Sequence, residues 1–159
     1  MSLDLHKIST VTVSSPVSSI DFTSIPQTYQ DLVLKVSVES ASSPLIYFNN
    51  ATTSYSFMVL RGTGSAAQGL TNVAYAGTTN WIMLANGSPS TSDVYIPNYR
   101  SSNNKLAVVD GAYGVNSATA YITFLAGIWA NTAAITTLSI GSYLVPLLAN
   151  TTATLYGVL

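Results

Sequence analysis

The sequence predicts an all-β fold, a jelly-roll-like β-sandwich of about eight to ten strands. Three observations predict it. Apolar residues recur with a period of two, the spacing of one face of a strand. The chain holds 22 Ser, 19 Thr and 10 Tyr in 159 residues, and Thr and Tyr suit strands better than helices. Turn-forming clusters of Gly, Pro, Asn and Asp separate the alternating runs at short intervals. Helix-supporting charge pairs are nearly absent, since there are one Glu and three Lys.

The elements follow in order. Residues 7–13 and 17–22 read as strands either side of Ser14-Ser15-Pro16. Residues 31–39 show the clearest alternation: Leu32, Leu34, Val36 and Val38 share one face, while Asp31, Lys35, Ser37 and Glu39 share the other with Val33. That pattern buries one face and places Asp31 in solvent. Residues 45–49 precede a turn at Asn49-Asn50. Residues 55–61 alternate Tyr55, Phe57 and Val59 against Ser56, Met58 and Leu60. Residues 81–85 end at Asn86-Gly87 and residues 105–109 at Asp110-Gly111, both reverse-turn signals. Between them, 93–97 puts Val94 and Ile96 together. Residues 120–129 are apolar on both alternating sets and read as a central strand. Residues 124–134 have room for a turn or two of helix. Residues 135–140 and 152–158 complete the series, and 61–69 and 98–104 read as exposed loops.

A chain of this length makes one domain and buries roughly 70% of its unfolded surface. Residues 1–18 are expected to form an N-terminal arm and first strand that contacts a partner subunit, and residues 19–159 the sandwich. The first ten residues carry Asp4, His6 and Lys7 where a secretory signal needs an apolar run. No apolar stretch is long enough to span a membrane as a helix. With no cysteine, disulfides and thiolate metal sites are excluded.

Charged residues make up 7% of the chain and the net charge is −1, against about 25% charged in typical domains. No basic patch is present to neutralise phosphates, so a nucleic-acid partner is not expected. Weak electrostatic repulsion favours association. The chain reads as a protein that sits against neighbours, with a neutral soluble monomer as the alternative.

Catalysis needs groups that titrate or coordinate, and the supply is one His and six carboxylates. A triad would have to use His6, in the N-terminal arm, which suits an interface residue better than a fixed base. Asp93 and Asp110 are the one candidate acid pair in the middle of the chain, and a turn role accounts for Asp110. Gly62-Thr63-Gly64 lacks the remainder of a phosphate-binding loop. No enzymatic activity, metal or cofactor is expected. The interface candidates are Leu3, Leu5 and His6 in the arm, and Tyr75, Trp81 and Tyr99 near loops, where an aromatic ring stacks on sugars or buries against protein. Covering the core at the strand ends is the alternative role for these aromatics, as it is for Tyr95 and Tyr113.

Several strings carry a family resemblance. They are Ser19-Ile20-Asp21-Phe22-Thr23-Ser24-Ile25-Pro26-Gln27-Thr28-Tyr29-Gln30-Asp31-Leu32, then Ile46-Tyr47-Phe48-Asn49-Asn50, Leu60-Arg61-Gly62-Thr63-Gly64, Tyr95-Ile96-Pro97-Asn98-Tyr99 and Thr154-Leu155-Tyr156-Gly157. From about Ser19 to the end, the chain resembles a family of small β-rich structural proteins of tailed bacteriophages. The resemblance implies a virion role without catalysis. With no coiled-coil or collagen-like shaft in the sequence, it points to a capsid decoration, or cement, protein whose partners are the major capsid protein and copies of itself, a trimer being inferred from that role. The alternatives are a tail-fibre or receptor-binding module that contacts host surface glycans, and a small carbohydrate-active enzyme.

Overall fold

The computed structural model describes residues 4–39, 44–62, 66–72, 82–85, 89–114, 120–142 and 145–159. Among these residues there are twelve strands and no helix: β1 (Leu5–Thr12), β2 (Ser19–Phe22), β3 (Asp31–Val38), β4 (Pro44–Phe48), β5 (Tyr55–Gly62), β6 (Ala67–Asn72), β7 (Ile82–Met83), β8 (Ser90–Ile96), β9 (Lys105–Gly114), β10 (Ala120–Trp129), β11 (Leu138–Ser142) and β12 (Thr152–Val158).

All strand pairs are antiparallel. One sheet has eight strands in the order β1-β12-β3-β8-β9-β10-β5-β6, and the other has four in the order β2-β11-β4-β7. The pairing is nested. β1 pairs with β12, β2 with β11, β3 with β8 and β4 with β7, as in one long hairpin. Successive pairs fall alternately in the two sheets, which is the winding of a jelly roll. Two hairpins, β5–β6 and β9–β10, are inserted into this winding, and β10 pairs with β5 so that both extend the same sheet. The insertions account for the excess over an eight-stranded roll.

The core lies between the sheets. β3 buries Leu32, Leu34, Val36 and Val38, as its alternation predicts, and the small sheet contributes Ile20, Phe22, Ile46, Phe48, Ile82, Leu138 and Ile140. Where β4 and β5 cross between the sheets, the rings of Tyr55 and Trp129 stack with centroids 6.1 Å apart. Phe48 packs edge-on to Trp129 at 5.9 Å. The hydroxyl of Tyr55 accepts the Phe48 amide at 2.8 Å, and burial pushes its pKa up. The turn before β5 holds Asn49 and Asn50 at φ of 50° and 56°, a backbone that Asn tolerates better than most residues. The Ala51 amide donates to the Phe48 carbonyl at 2.9 Å and closes it.

Several expectations are corrected. Asp110-Gly111 is not a turn: β9 runs straight through it. A Cβ at Gly111 would lie 2.9 Å from Ala85 Cβ, Ser92 Oγ and the Thr91 carbonyl, so glycine is there for close approach. Asp31 is not in solvent. It is buried, and its carboxylate accepts the Tyr95 hydroxyl at 2.6 Å and the Asn98 amide at 2.7 Å. That acceptor pair fixes the start of the β8–β9 turn, where Asn98 has φ 48°. Residues 61–69 are not one loop, because β6 begins at Ala67. No helix follows Phe124, since β10 continues to Trp129 and irregular backbone follows. Residues 98–104 do form a loop. The buried Lys105 closes it by donating from Nζ to the carbonyls of Ser101, at 2.8 Å, and Asn103, and burial lowers the pKa of this ammonium.

Candidate functional site

The outer face of the eight-stranded sheet has two unlike halves. On β10, the alternate residues Thr123, Leu125, Gly127 and Trp129 point into the core, so Ile122, Phe124, Ala126 and Ile128 point outward. Nothing among the described residues covers them. The register brings their neighbours to the same surface: Phe124 lies opposite Leu60, Ala126 opposite Met58 and Val108, and Ile128 opposite Leu106. Exposure is 66% for Ile122, 59% for Leu60, 57% for Met58, 51% for Phe124, 42% for Ile128 and 38% for Leu106. With a side chain of this size presenting on the order of 200 Å² when free, the six leave about 600 Å² in water, at the top of the roughly 300–600 Å² range for the largest patch on a monomer. A shallow groove of about 420 Å³ runs between Leu60, Ile122, Phe124 and the β6 residues Ala67, Gln68 and Gly69.

The other half, on β8, β3, β12 and β1, is polar. Thr10 and Thr154 bond through their hydroxyls at 3.0 Å. Lys35 forms an ion pair with Asp93, and Asp93 lies directly opposite Asp110 in the β8–β9 register. The two acids considered as a pair are therefore cross-strand neighbours. They sit on an open sheet face, with Asp93 engaged by Lys35, beside a depression of about 280 Å³ that Leu5, Val33 and Tyr95 also line. Asp110 is also opposite Phe124, so this charged row borders the apolar half.

The interface candidates fare unequally. Leu5 is on β1 and 36% exposed. His6 is half-buried and held within its own chain: its ring stacks on Tyr29 at 5.8 Å, Nε2 is 3.3 Å from the Asp4 carboxylate, and its register partner is Gly157, which the Tyr29 ring covers. Tyr99 is fully buried and its hydroxyl donates to the Pro26 carbonyl. It is a core residue whose side chain is not available to a partner, because the loop aromatic folds back under its own turn. Leu3, Tyr75 and Trp81 lie outside the described residues. Tyr113 is buried and stacks on Tyr121 at 4.7 Å, with the Arg61 guanidinium 5.3 Å from its ring. The expected arm is already ordered: β1 pairs with β12 from Leu5–Val158 to Thr12–Thr152, interrupted by an irregularity between Lys7 and Ser9.

The residues of the apolar face were not singled out in the sequence. The signal was there, in the double apolar character of 120–129, which reads as burial on both faces by the same chain. Among the described residues no group of three or more His, Cys, Asp or Glu is placed to hold a metal. No protein-family model, curated protein or solved structure matches the chain.

Proposed function

We propose that this chain is a non-enzymatic structural protein of a tailed-bacteriophage virion, a decoration protein on the capsid surface, and that its neighbours in the particle cover the outer face of β5, β9 and β10. The observation that carries the reading is the uncovered apolar face itself. Exposed apolar surface of this extent stands at the upper end of what a monomer shows, where such patches are often functional contact surfaces. The jelly roll supports the reading as architecture, being a fold of viral capsid and lectin domains alike, and the sequence resemblance supplies the phage context. The inserted hairpins fit the same logic, in which function is grafted onto a scaffold that would close without it.

The test is electron microscopy of intact particles carrying this protein, with its copies counted. Copies by the hundred over the head support decoration, and a few at the tail tip would replace it with the tail-associated alternative. That alternative stacks host glycans on loop aromatics, and it has lost Tyr99 and Tyr113 to the core.

A further inference from the structure

We infer that the apolar face of β5, β9 and β10 is covered by the same face of a second copy of this chain, in a two-fold dimer. The inference rests on the assembly reading above and names the neighbour.

Area is the first argument. Two copies that each contribute about 600 Å² bury about 1,200 Å² together, the lower bound of specific and stable interfaces. Charge is the second. None of Met58, Leu60, Leu106, Ile122, Phe124 and Ile128 carries charge; the one acid on the outer face of these strands, Asp110 opposite Phe124, lies at the polar border, and a chain of net charge −1 offers little repulsion to its own copy. Shape is the third. Large side chains stand beside small ones: Ile122 lies between Gly62 and Ala112, and Ala126 separates Phe124 from Ile128 along β10. Such a surface interdigitates with an identical one at the roughly 10 Å spacing of stacked sheets. The outer face of β10 then becomes the inner face of a second sandwich, which accounts for a strand apolar on both sides.

A sheet face that packs on itself is isologous and closes at two copies, with the axis in the plane between the sheets. The trimer expected from the capsid role would need a different surface.

The experiment uses the full chain. Sedimentation equilibrium over a wide concentration range measures the stoichiometry of the wild type, Ile122→Asp and Phe124→Asp. Both substitutions are at exposed positions, and circular dichroism checks that the β-fold is kept. Because the chain has no cysteine, Phe124→Cys adds a second readout: a bifunctional thiol-reactive reagent, whose spacer does not require the two sulfurs to touch as a disulfide does, links two copies covalently if the faces meet, whereas Ser37→Cys, on the polar half of the sheet, stays unlinked. The expected result is a wild-type dimer, at least a hundredfold weaker association in each Asp variant, and cross-linking at position 124 only. A monomeric wild type, a trimer, or a dimer indifferent to both Asp substitutions overturns the inference. A monomer that is nevertheless found on virions sinks self-association and leaves the virion reading standing. A dimer absent from virions does the reverse.

Discussion

Gly127 lies on the inner face of β10, directly beneath β7. A Cβ there would sit 2.8 Å from Ile82 Cγ1 and 3.2 Å from Cδ1, where apolar contacts prefer about 3.5–4.0 Å. Gly127→Ala therefore drives the two sheets apart or forces Ile82 off its rotamer, which costs about 1–3 kcal/mol. The smaller backbone entropy of alanine returns about 0.5–1 kcal/mol, so the net destabilisation lies between about 0 and 2.5 kcal/mol. Ile82 is fully buried, and Ile82→Ala alone costs about 2–5 kcal/mol through lost burial and a cavity. In the double variant the new methyl enters the space that the isoleucine vacates. The pair should then be at least 1 kcal/mol more stable than the sum of the single losses, against about 0.5 kcal/mol of scatter for independent sites. Urea denaturation followed by tryptophan fluorescence reads the cycle, since Trp129 is buried two residues along the same face. Additive losses would falsify the placement of β7 against β10.

Four further outcomes are expected. The hydrogen bond to Asp31, and burial after it, push the Tyr95 phenol up to about 12. The folded state therefore favours the protonated phenol, and this stabilisation is complete below about pH 10 and is lost as pH rises towards 12. Asp31→Asn should move the phenol back towards its ordinary value, read as ultraviolet absorbance during alkaline titration, and an unmoved midpoint would show that the bond is not made. Tyr99→Phe removes the donor to the Pro26 carbonyl and should cost about 1 kcal/mol in chemical denaturation, whereas a surface interface tyrosine would cost nothing. Deleting residues 1–12 removes β1 and bares the edge of β12, so it should lower the melting temperature and promote aggregation; unchanged melting would restore the view of this segment as a separate docking arm. Ile122→Ser, at the most exposed of the large apolar side chains of β10, should change monomer stability by less than about 0.5 kcal/mol, as measured by denaturation of dilute protein.

The fold was legible wherever alternation and burial agree. β3 illustrates this: its Leu and Val set faces a core, and the hydrophobic period alone places it. β6 was hidden because Ala67-Gln68-Gly69 has no apolar alternation, and its strand conformation comes from backbone pairing with β5. Gly111 misled because glycine serves both tight turns and close packing, and only the position of Ala85 and Ser92 across the gap tells which. Asp31 misled because a carboxylate at a strand end is normally solvated, and here a tyrosine from two rows along supplies the missing donor. The candidate face was half-legible. Its residues are plainly apolar, but a sequence does not say whether a second apolar face is covered by its own chain or left for another. The loop aromatics, chosen for their chemistry, depended on backbone direction that no local pattern encodes.

The nested pairing has a consequence for how the molecule comes into being. The strand that completes the sheet beside β1 is β12, so Thr10 meets Thr154 at a sequence separation of 144. During synthesis β1 has no partner until β12 has emerged, and closing so long a loop is slow compared with forming the local hairpins β5–β6 and β9–β10. The inserted hairpins therefore have the shortest path to order, and they are the elements that display the apolar face. Until the outer pair closes, the unfinished chain carries that apolar face together with unpaired strand edges. A low synthesis temperature or a chaperone should accordingly raise the yield of soluble protein more than it would for a domain built from local contacts.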